Sequence, residues 1–287
     1  MLLTVCASAC ASQVAPAASQ LGQATITAAS AENALFDAVE QKHSDAVSTY
    51  LLTSRYLETD ANGNVRPKGG SAAAGRAISA PVRQAITGLL NALRAYGEAL
   101  QSLAGDAAAS TFDANADSLA KSAANLDTSL LRPLGGQGLP AGTRLNAVGQ
   151  AVKDVGNAVI TFLAAKDVQT AARNVQAPLR DIVGGLKSIN LFWTKTIPAN
   201  ASFVTTLAVV SEWNSTQHSI ADREELQRIL NKAAVPLTPD DADKALDALV
   251  AANGKLAMSG PTVSYADIQK AVQAAQDAVR TYEPLVR

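Results

Sequence analysis

Apolar residues recur every three or four positions along most of this chain. The clearest case begins at Val82, where steps of four and three alternate through Val82, Ile86, Leu89, Leu93, Tyr96, Leu100 and Leu103. A period of 3.5 residues places these side chains on one stripe of an α-helix, which can then pack against neighbouring helices. A period of two never lasts long enough to predict a strand. The fold class predicted by this pattern is all-α.

The same periodicity predicts long helices in the first two thirds of the chain. A first helix covers Leu35 to Leu57, and a helix over 112–130 follows a stop at Gly105. After a loop rich in proline and glycine, a much longer helix covers roughly 55 residues (143–197), which is about 80 Å at 1.5 Å per residue. Helices of this length predict a bundle rather than a compact globule.

Three features punctuate the longest predicted helix. The apolar seam slips in phase at Lys166-Asp167, where either a turn or a continuous helix fits the sequence. Pro178 predicts a kink, because its ring removes the backbone hydrogen bond to the carbonyl of Asn174. The stretch IPANAS (Ile197–Ser202) predicts the turn that ends the helix.

The last third of the chain predicts shorter helices with clear start signals. Either Ser219 or Asp222 can begin one helix, and Thr238 followed by Pro239 begins the next. Ser264 is the expected cap of the last helix. These signals predict a smaller group of helices at the C-terminal end.

One helical face in this part of the chain is strongly apolar, and it begins within Thr196–Ser211, the longest uncharged stretch of the helical body after Glu32. We interpret the stretch as bundle core. A membrane-inserting hairpin is the alternative, although a span needs roughly 20 apolar residues and the stretch is shorter. The face carries Phe203, Leu207, Val210, Trp213, Gln217 and Ile220.

Together these elements predict an elongated antiparallel helical bundle with long heptad-patterned helices and a smaller C-terminal helical unit. The bundle is expected over 31–197. The C-terminal helices are expected over 198–287, packed on or beside it. Residues 10–30, which are rich in alanine, serine, glutamine and threonine, predict a low-complexity tether. Residues 1–9 predict the remnant of an export signal.

The small residues Ala7-Ser8-Ala9 precede Cys10. This tetrapeptide resembles the lipobox of bacterial lipoproteins, in which a peptidase cleaves before a cysteine that then carries lipid; Ala7 stands where leucine is usual. The resemblance implies lipid attachment at Cys10 and loss of Cys6 with the signal. Because Ala11 rather than aspartate follows the cysteine, it also implies the periplasmic face of the outer membrane. It gives no family for the helical body.

Composition agrees with an alanine-padded bundle. Alanine supplies about a fifth of the residues, and it favours helices because it loses no side-chain entropy there. Charged residues make up 17% of the chain, aromatic residues 4%, and the formal net charge is -1. A nearly neutral chain has no field that recruits nucleic acid, so no nucleic-acid partner is expected.

Residues typical of catalytic or metal chemistry are few. His43 falls on the apolar stripe of the first helix and His218 in a polar stretch, and neither belongs to a Glu-x-x-His or His-Glu-x-x-His pair. The stretch GGQGLPAG lacks the strand and the following Lys-Ser/Thr of a phosphate-binding loop. We therefore predict no catalytic, cofactor-binding or metal-binding residue, and Cys10 as the single site of modification.

The function that these observations favour is a non-enzymatic, lipid-anchored protein of the bacterial cell envelope. Its helical body would serve as a scaffold or as a module that binds a protein partner. Two alternatives stay open. One is a helical pore-forming or membrane-perturbing protein, and the other is a small-ligand sensor or an enzyme with a site between helices.

Overall fold

A computed structural model describes residues 3–52, 57–59, 65–67, 78, 80–104, 168–191, 197–214, 219–234, 239–258 and 263–282. Within these ranges the chain is almost entirely helical, which confirms the all-α class. The helix predicted over 112–130 lies outside the described residues. The described helices are α1 (Leu3–Leu52), α2 (Ala80–Ala104), α3 (Val168–Ile189), α4 (Ile197–Trp213), α5 (Ile220–Ala234), α6 (Pro239–Ala257) and α7 (Tyr265–Tyr282).

Two three-residue strands lie between α1 and α2. β1 (Leu57–Thr59) and β2 (Val65–Pro67) pair antiparallel, with Glu58 opposite Arg66. The apolar spacing had predicted that the first helix extends to Leu57. This is wrong, because α1 ends at Leu52. The sequence pattern missed the strands because three residues are too few to show an alternation.

The chain forms two compact units whose segments interleave. Unit 1 comprises Met1–Ala34, Ala80–Asn190 and Thr238–Arg287, and unit 2 comprises Leu35–Ser79 and Leu191–Leu237. α1 therefore gives its first part to unit 1 and its second part to unit 2. This division differs from the one expected from the sequence (31–197 and 198–287), because α6 packs against α3 as well as against α7.

The interior of unit 1 is built from apolar helix stripes. α6 packs against α3 and α7, and α2 packs against α3. Every α2 seam position whose side chain is described is buried, which confirms the 3.5-residue period predicted for this helix. The buried seam positions are Ile86, Leu89, Leu93, Tyr96 and Leu100 on α2, and Ala172, Val175, Leu179, Ile182, Leu186 and Ile189 on α3.

α1 and α2 come very close to each other at Gly22 and Gly97. A Cβ atom on Gly97 would lie 2.6 Å from the carbonyl oxygen of Gly22, and a Cβ atom on Gly22 would collide with the carbonyl oxygen of Gly97. Beside this crossing, Nε2 of Gln101 donates a hydrogen bond to Oε1 of Gln23 at 2.7 Å. The crossing distance of the two helices thus requires glycine at both positions.

Residues 10–30 are part of α1 and do not form the expected tether. Most of their described apolar side chains are buried in unit 1. The first buried ones along the chain are Ala17, Ala18 and Leu21. Alanine-rich sequence has high helix propensity, and close packing against α2 at Gly22 stabilises the helix further. Composition alone could not distinguish this buried helix from a flexible linker.

In unit 2, α4 packs against α5, and the second part of α1 contacts the end of α5. The backbone carbonyl of Ala233 accepts hydrogen bonds from Nζ of Lys42 at 2.9 Å and from Oγ of Ser202 at 2.6 Å. The last carbonyls of a helix have no partner within the helix, and a cation there also complements the helix dipole. Lys232 forms an ion pair with Asp45 at 2.7 Å. The end of α5 is therefore fixed to both α1 and α4.

Two helix starts confirm the capping predictions. Oγ of Ser219 accepts the backbone N–H of Asp222 at 3.2 Å, which decides between the two start positions considered for α5. Oγ of Ser264 accepts the backbone N–H of Asp267 at 3.2 Å. Each serine thus satisfies one of the unpaired N–H groups of its helix.

The chain around α3 and α4 differs in part from the sequence prediction. The helix predicted over 143–197 is described only from Val168, so the alternatives at Lys166-Asp167 lie outside the described residues. α3 continues through Pro178 as far as Ile189. The predicted turn Ile197–Ser202 is wrong, because these residues are the first turns of α4. Pro198 is compatible with this, since the first turn of a helix needs no N–H from proline.

Candidate functional site

Large apolar side chains project into solvent from α4. Phe203 is 63% exposed, Leu207 is 50% exposed and Val210 is 46% exposed. Their spacing of four and three residues places them on one stripe of the helix, which we call the outer face of α4. The interpretation of this stretch as bundle core is therefore wrong for these three residues.

The opposite side of α4 carries smaller residues and is the packed side. Ala201, Thr205, Ala208 and Val209 are all buried. A surface helix of a globular protein normally turns its largest apolar side chains inward, and α4 does the reverse. Both sides are apolar, so periodicity alone could not tell which one packs. The narrow side of small residues lets α4 lie close to the rest of unit 2.

Further exposed apolar groups lie where α4 ends and α5 begins. Trp213 is 45% exposed, and the guanidinium group of Arg223 lies over its ring at 5.6 Å from the ring centre. A cation over an indole face is attracted by the negative charge of the ring face. Ile220, in the first turn of α5, is the most exposed large apolar residue of the described chain. Grouped apolar exposure of this kind is typical of surfaces that bind proteins or lipid.

Unit 1 contains a buried polar cluster formed by Glu32 on α1, Asn190 at the end of α3 and Asp243 on α6. We call it the Glu32 cluster. Nδ2 of Asn190 donates hydrogen bonds to Oε1 of Glu32 at 3.3 Å and to Oδ1 of Asp243 at 3.2 Å. Glu32 is 1% exposed, and its Oε2 atom has no hydrogen-bond partner among the described residues. One amide group therefore links two carboxyl groups from different helices.

The electrostatics of the cluster favour a bound proton. Burial raises the pKa of Glu32 to about 8; the hydrogen bond from Asn190 opposes this shift, and the nearby charge of Asp243 adds to it. The pKa of Asp243 is also raised, mainly by burial, although the Asn190 hydrogen bond and Lys187 lower it. Nζ of Lys187 forms an ion pair with Asp247 at 2.6 Å. At neutral pH the raised pKa thus favours the protonated form of Glu32.

Of the cysteine and histidine residues singled out in the sequence, the structure describes the side chain of His43. Cys10 lies in the helical backbone of α1, and its side chain is outside the described set, as is that of Cys6. His43 is half-buried on α1 in unit 2. His218 lies outside the described residues. Within the described chain, no three His, Cys, Asp or Glu side chains are grouped so that they could hold a metal ion.

Sequence reasoning missed the Glu32 cluster, although a signal existed. Glu32 falls on the same stripe of α1 as the buried residues Ala28, Leu35 and Phe36. A polar residue at an apolar position of a helix stripe often marks a buried interaction. Nothing in the sequence could show that Asn190 and Asp243 meet it, since both partners come from distant parts of the chain.

No described helix combines the length and the apolar character that crossing a lipid bilayer requires. Comparison of the chain with family models, with curated proteins and with solved structures gave no match.

Proposed function

We propose that this protein is a lipid-anchored cell-envelope protein that binds a protein partner through the outer face of α4. The observation that carries the proposal is the exposure of Phe203, Leu207 and Val210 on one stripe of a helix. Removal of apolar surface from water contributes about 25 cal/mol per Å². A partner helix with apolar residues at the same spacing would bury this stripe. The proposed role is non-enzymatic, with unit 1 as the scaffold.

Lipid attachment at Cys10 is compatible with the helical body. Cleavage before Cys10 would remove none of the described buried residues, since the first of these is Ala17. The helical path from Cys10 to Ala17 is about 10 Å long. A lipid on Cys10 would therefore hold unit 1 near a membrane, which we propose is the periplasmic face of the bacterial outer membrane.

The anchor is tested by the intact mass of the protein recovered from the membrane fraction of a bacterial host. We expect a chain that begins at a lipid-modified Cys10. The variant Cys10→Ser should lose the modification and leave the membrane fraction, and the matched variant Cys6→Ser should keep both. A membrane-associated chain with an unmodified Cys10 would contradict the anchor.

The partner surface is tested by a photoreactive benzoylphenylalanine placed at position 207 in intact cells. We expect a protein adduct of discrete mass, because Leu207 lies in the middle of the outer face. The same group at position 280 is the control, since Arg280 is exposed on α7 of unit 1. Phe203→Gln should weaken the adduct at position 207. Equal adducts at both positions, or none at position 207, would rule out this surface.

A membrane-perturbing function is the second candidate. It is supported by Trp213 and Arg223 at the end of α4, because tryptophan and basic residues are enriched where proteins meet the membrane–water interface. The purified full chain mixed with dye-loaded liposomes distinguishes the two functions. Dye release that Phe203→Gln abolishes would favour this second function over the binding of a protein partner.

A further inference from the structure

The Glu32 cluster joins three helices of unit 1 at positions next to the ends of its chain segments. Glu32 is two residues before Ala34, where the first segment of unit 1 ends, and Asn190 is the last residue of the second segment. Asp243 lies close to the start of the third segment at Thr238. The hydrogen bonds of Asn190 therefore hold α1, α3 and α6 together next to the points where the chain enters and leaves unit 1.

The backbone at Asn190 departs from regular α-helix. α3 ends at Ile189, and Asn190 and Leu191 form a π-helical turn. Such turns are uncommon and occur frequently at functional sites. Asn190 is fully buried, whereas the next residue, Leu191, is 55% exposed. The π turn thus marks the point where the chain passes from the buried cluster to the surface.

If Glu32 lost its proton, no nearby positive charge of the described chain would neutralise the new carboxylate beside Asp243. The neighbouring charged residues on α6, Asp240 and Asp247, are also acidic, and both raise the pKa of Asp243. On α3, Lys187 is already paired with Asp247 at 2.6 Å.

The charged side chains of α2 and α7 also provide no counter-charge for an ionised Glu32. On α2, Nη2 of Arg83 donates a hydrogen bond to Oδ1 of Asn33, the residue next to Glu32, at 3.1 Å. The charged side chains of α7, which packs on α6, are exposed; they are Asp267, Lys270, Asp277 and Arg280.

We propose that the Glu32 cluster is a proton-operated latch, which holds the end of α3 and the start of α6 to α1 within unit 1 while it carries one proton and loosens when that proton is lost. The geometry that carries this proposal is a buried carboxyl group, one oxygen of which has no partner in the described part of the chain, linked by one asparagine to a second carboxyl group.

The latch works through the cost of a second buried charge. In the closed state Glu32 is a neutral carboxylic acid and Asp243 is a carboxylate, and each accepts one of the two hydrogens on Nδ2 of Asn190. Loss of the proton from Glu32 to solvent leaves two carboxylates on one amide group. Burial of an ionised carboxylate that lacks sufficient partners is strongly unfavourable. Water must therefore reach Glu32, and that requires the end of α3 to move away from α1 and α6.

Hydrogen exchange on the full chain tests the latch. Amide exchange rates, corrected for the intrinsic effect of pH, are measured by mass spectrometry at about pH 6.5 and about pH 9.5. In the wild-type protein we expect exchange over 186–191 and 30–34 to become about tenfold faster at the higher pH, because the ionised fraction of Glu32 rises by more than that factor. Exchange over 268–279 of α7 should stay unchanged.

Two variants provide the comparison. Glu32→Gln cannot ionise, so exchange over 186–191 should show no pH dependence. The matched variant Glu224→Gln changes an exposed glutamate of unit 2 and should behave as the wild type. Wild-type exchange that is independent of pH over 186–191, or a pH dependence that survives in Glu32→Gln, would overturn the latch.

A second measurement needs no variant and guards against a Glu32→Gln chain that does not fold. The carbonyl stretch of a protonated carboxyl group is distinct in the infrared spectrum. We expect such a band to persist in the wild-type protein at neutral pH and to disappear at the pH where exchange over 186–191 accelerates. Its absence at neutral pH would overturn the latch.

Discussion

The hydroxyl group of Tyr96 donates a hydrogen bond to Oδ1 of Asn253, which joins α2 to α6 in the interior of unit 1. Both residues are almost completely buried. Nδ2 of Asn253 in turn donates to the backbone carbonyl of Ala172 at 3.0 Å and to Oε1 of Gln176 at 2.6 Å. Asn253 thus uses its amide oxygen and both amide hydrogens across three helices. A network in which each buried polar group is satisfied fixes how those helices align.

Removal of the Tyr96 hydroxyl group should destabilise unit 1. Tyr96→Phe leaves Oδ1 of Asn253 buried without this donor, and the expected loss in free energy of unfolding is about 1–3 kcal/mol. Urea denaturation followed by far-UV circular dichroism measures it. Tyr265→Phe is the matched control, because the Tyr265 hydroxyl is an exposed partner of Gln269 on the same helix. An equal loss in both variants would contradict a special role for the buried network.

Glycine is required at the crossing of α1 and α2, whereas it is dispensable at position 184 of α3. Gly97→Ala should force the helices apart and destabilise unit 1 by about 1–3 kcal/mol, because the new Cβ atom would meet backbone that cannot move away alone. Gly184→Ala should instead stabilise the protein by up to about 1 kcal/mol, since no atom lies near its Cβ position and alanine favours the helix. Thermal denaturation of the two single variants gives opposite shifts if the crossing is as described.

The two sides of α4 should respond oppositely to substitution. Leu207→Gln on the outer face should change the free energy of unfolding by no more than about 0.5 kcal/mol, since surface changes are usually small. Ala208→Gln on the inner face should cost about 2 kcal/mol or more, because the larger polar side chain has no room and no partner there. Denaturant midpoints of the two variants measure this. A larger loss for Leu207→Gln would mean that the outer face is packed.

The stability of unit 1 should decrease as pH rises above the ordinary pKa of a glutamate. Burial raises the pKa of Glu32 from 4.5 to about 8, so the folded state keeps its proton over a range in which the unfolded chain has lost it. The unfolded state is therefore favoured progressively from about pH 4.5 to about pH 8, by about 5 kcal/mol in total, and the difference is constant above that range.

Glu32→Gln provides the measurement for this pH dependence. Its free energy of unfolding, compared with that of the wild type at each pH, should show a growing advantage between about pH 4.5 and about pH 8 and none below. The comparison cancels the titration of the other groups that both chains share. A difference that is independent of pH would contradict a raised pKa at Glu32.

The N-cap of α7 should contribute measurably to stability. Ser264→Ala removes the acceptor for the backbone N–H of Asp267, and the expected loss is about 1 kcal/mol. Ser188→Ala on α3 is the control, because its hydroxyl only returns to the carbonyl of Gly184 within the helix. Thermal denaturation of both variants compares the two serines. A loss at Ser188→Ala as large as that at Ser264→Ala would leave the cap without a distinct contribution.

Much of the local structure could be predicted from the sequence. The α2 seam from Ile86 to Leu100, the start of α6 at Pro239 and the caps Ser219 and Ser264 follow from short-range rules, since spacing, capping and backbone restriction act over a few residues. The two strands were missed because they are too short to show a period. The assignment of 10–30 as a tether was wrong because alanine-rich composition does not show what a segment packs against.

The outer face of α4 and the Glu32 cluster could not be predicted from the spacing of residues along the chain. α4 is apolar on both sides, so its sequence allows either side to pack, and the fit of small residues against α5 left Phe203 and Leu207 outside. Glu32 and Asn190 are 158 residues apart along the chain, and no local rule joins them.

The sequence by itself determined the helical class and the starts of α5, α6 and α7, because hydrogen bonds within a helix, its caps and the stripe of apolar side chains are local. The tertiary structure alone decided which stripes became core, which became surface and which polar groups met in the interior. Those outcomes depend on close packing between segments far apart in sequence, as at Gly22 and Gly97, where the absence of two side chains lets the helices touch.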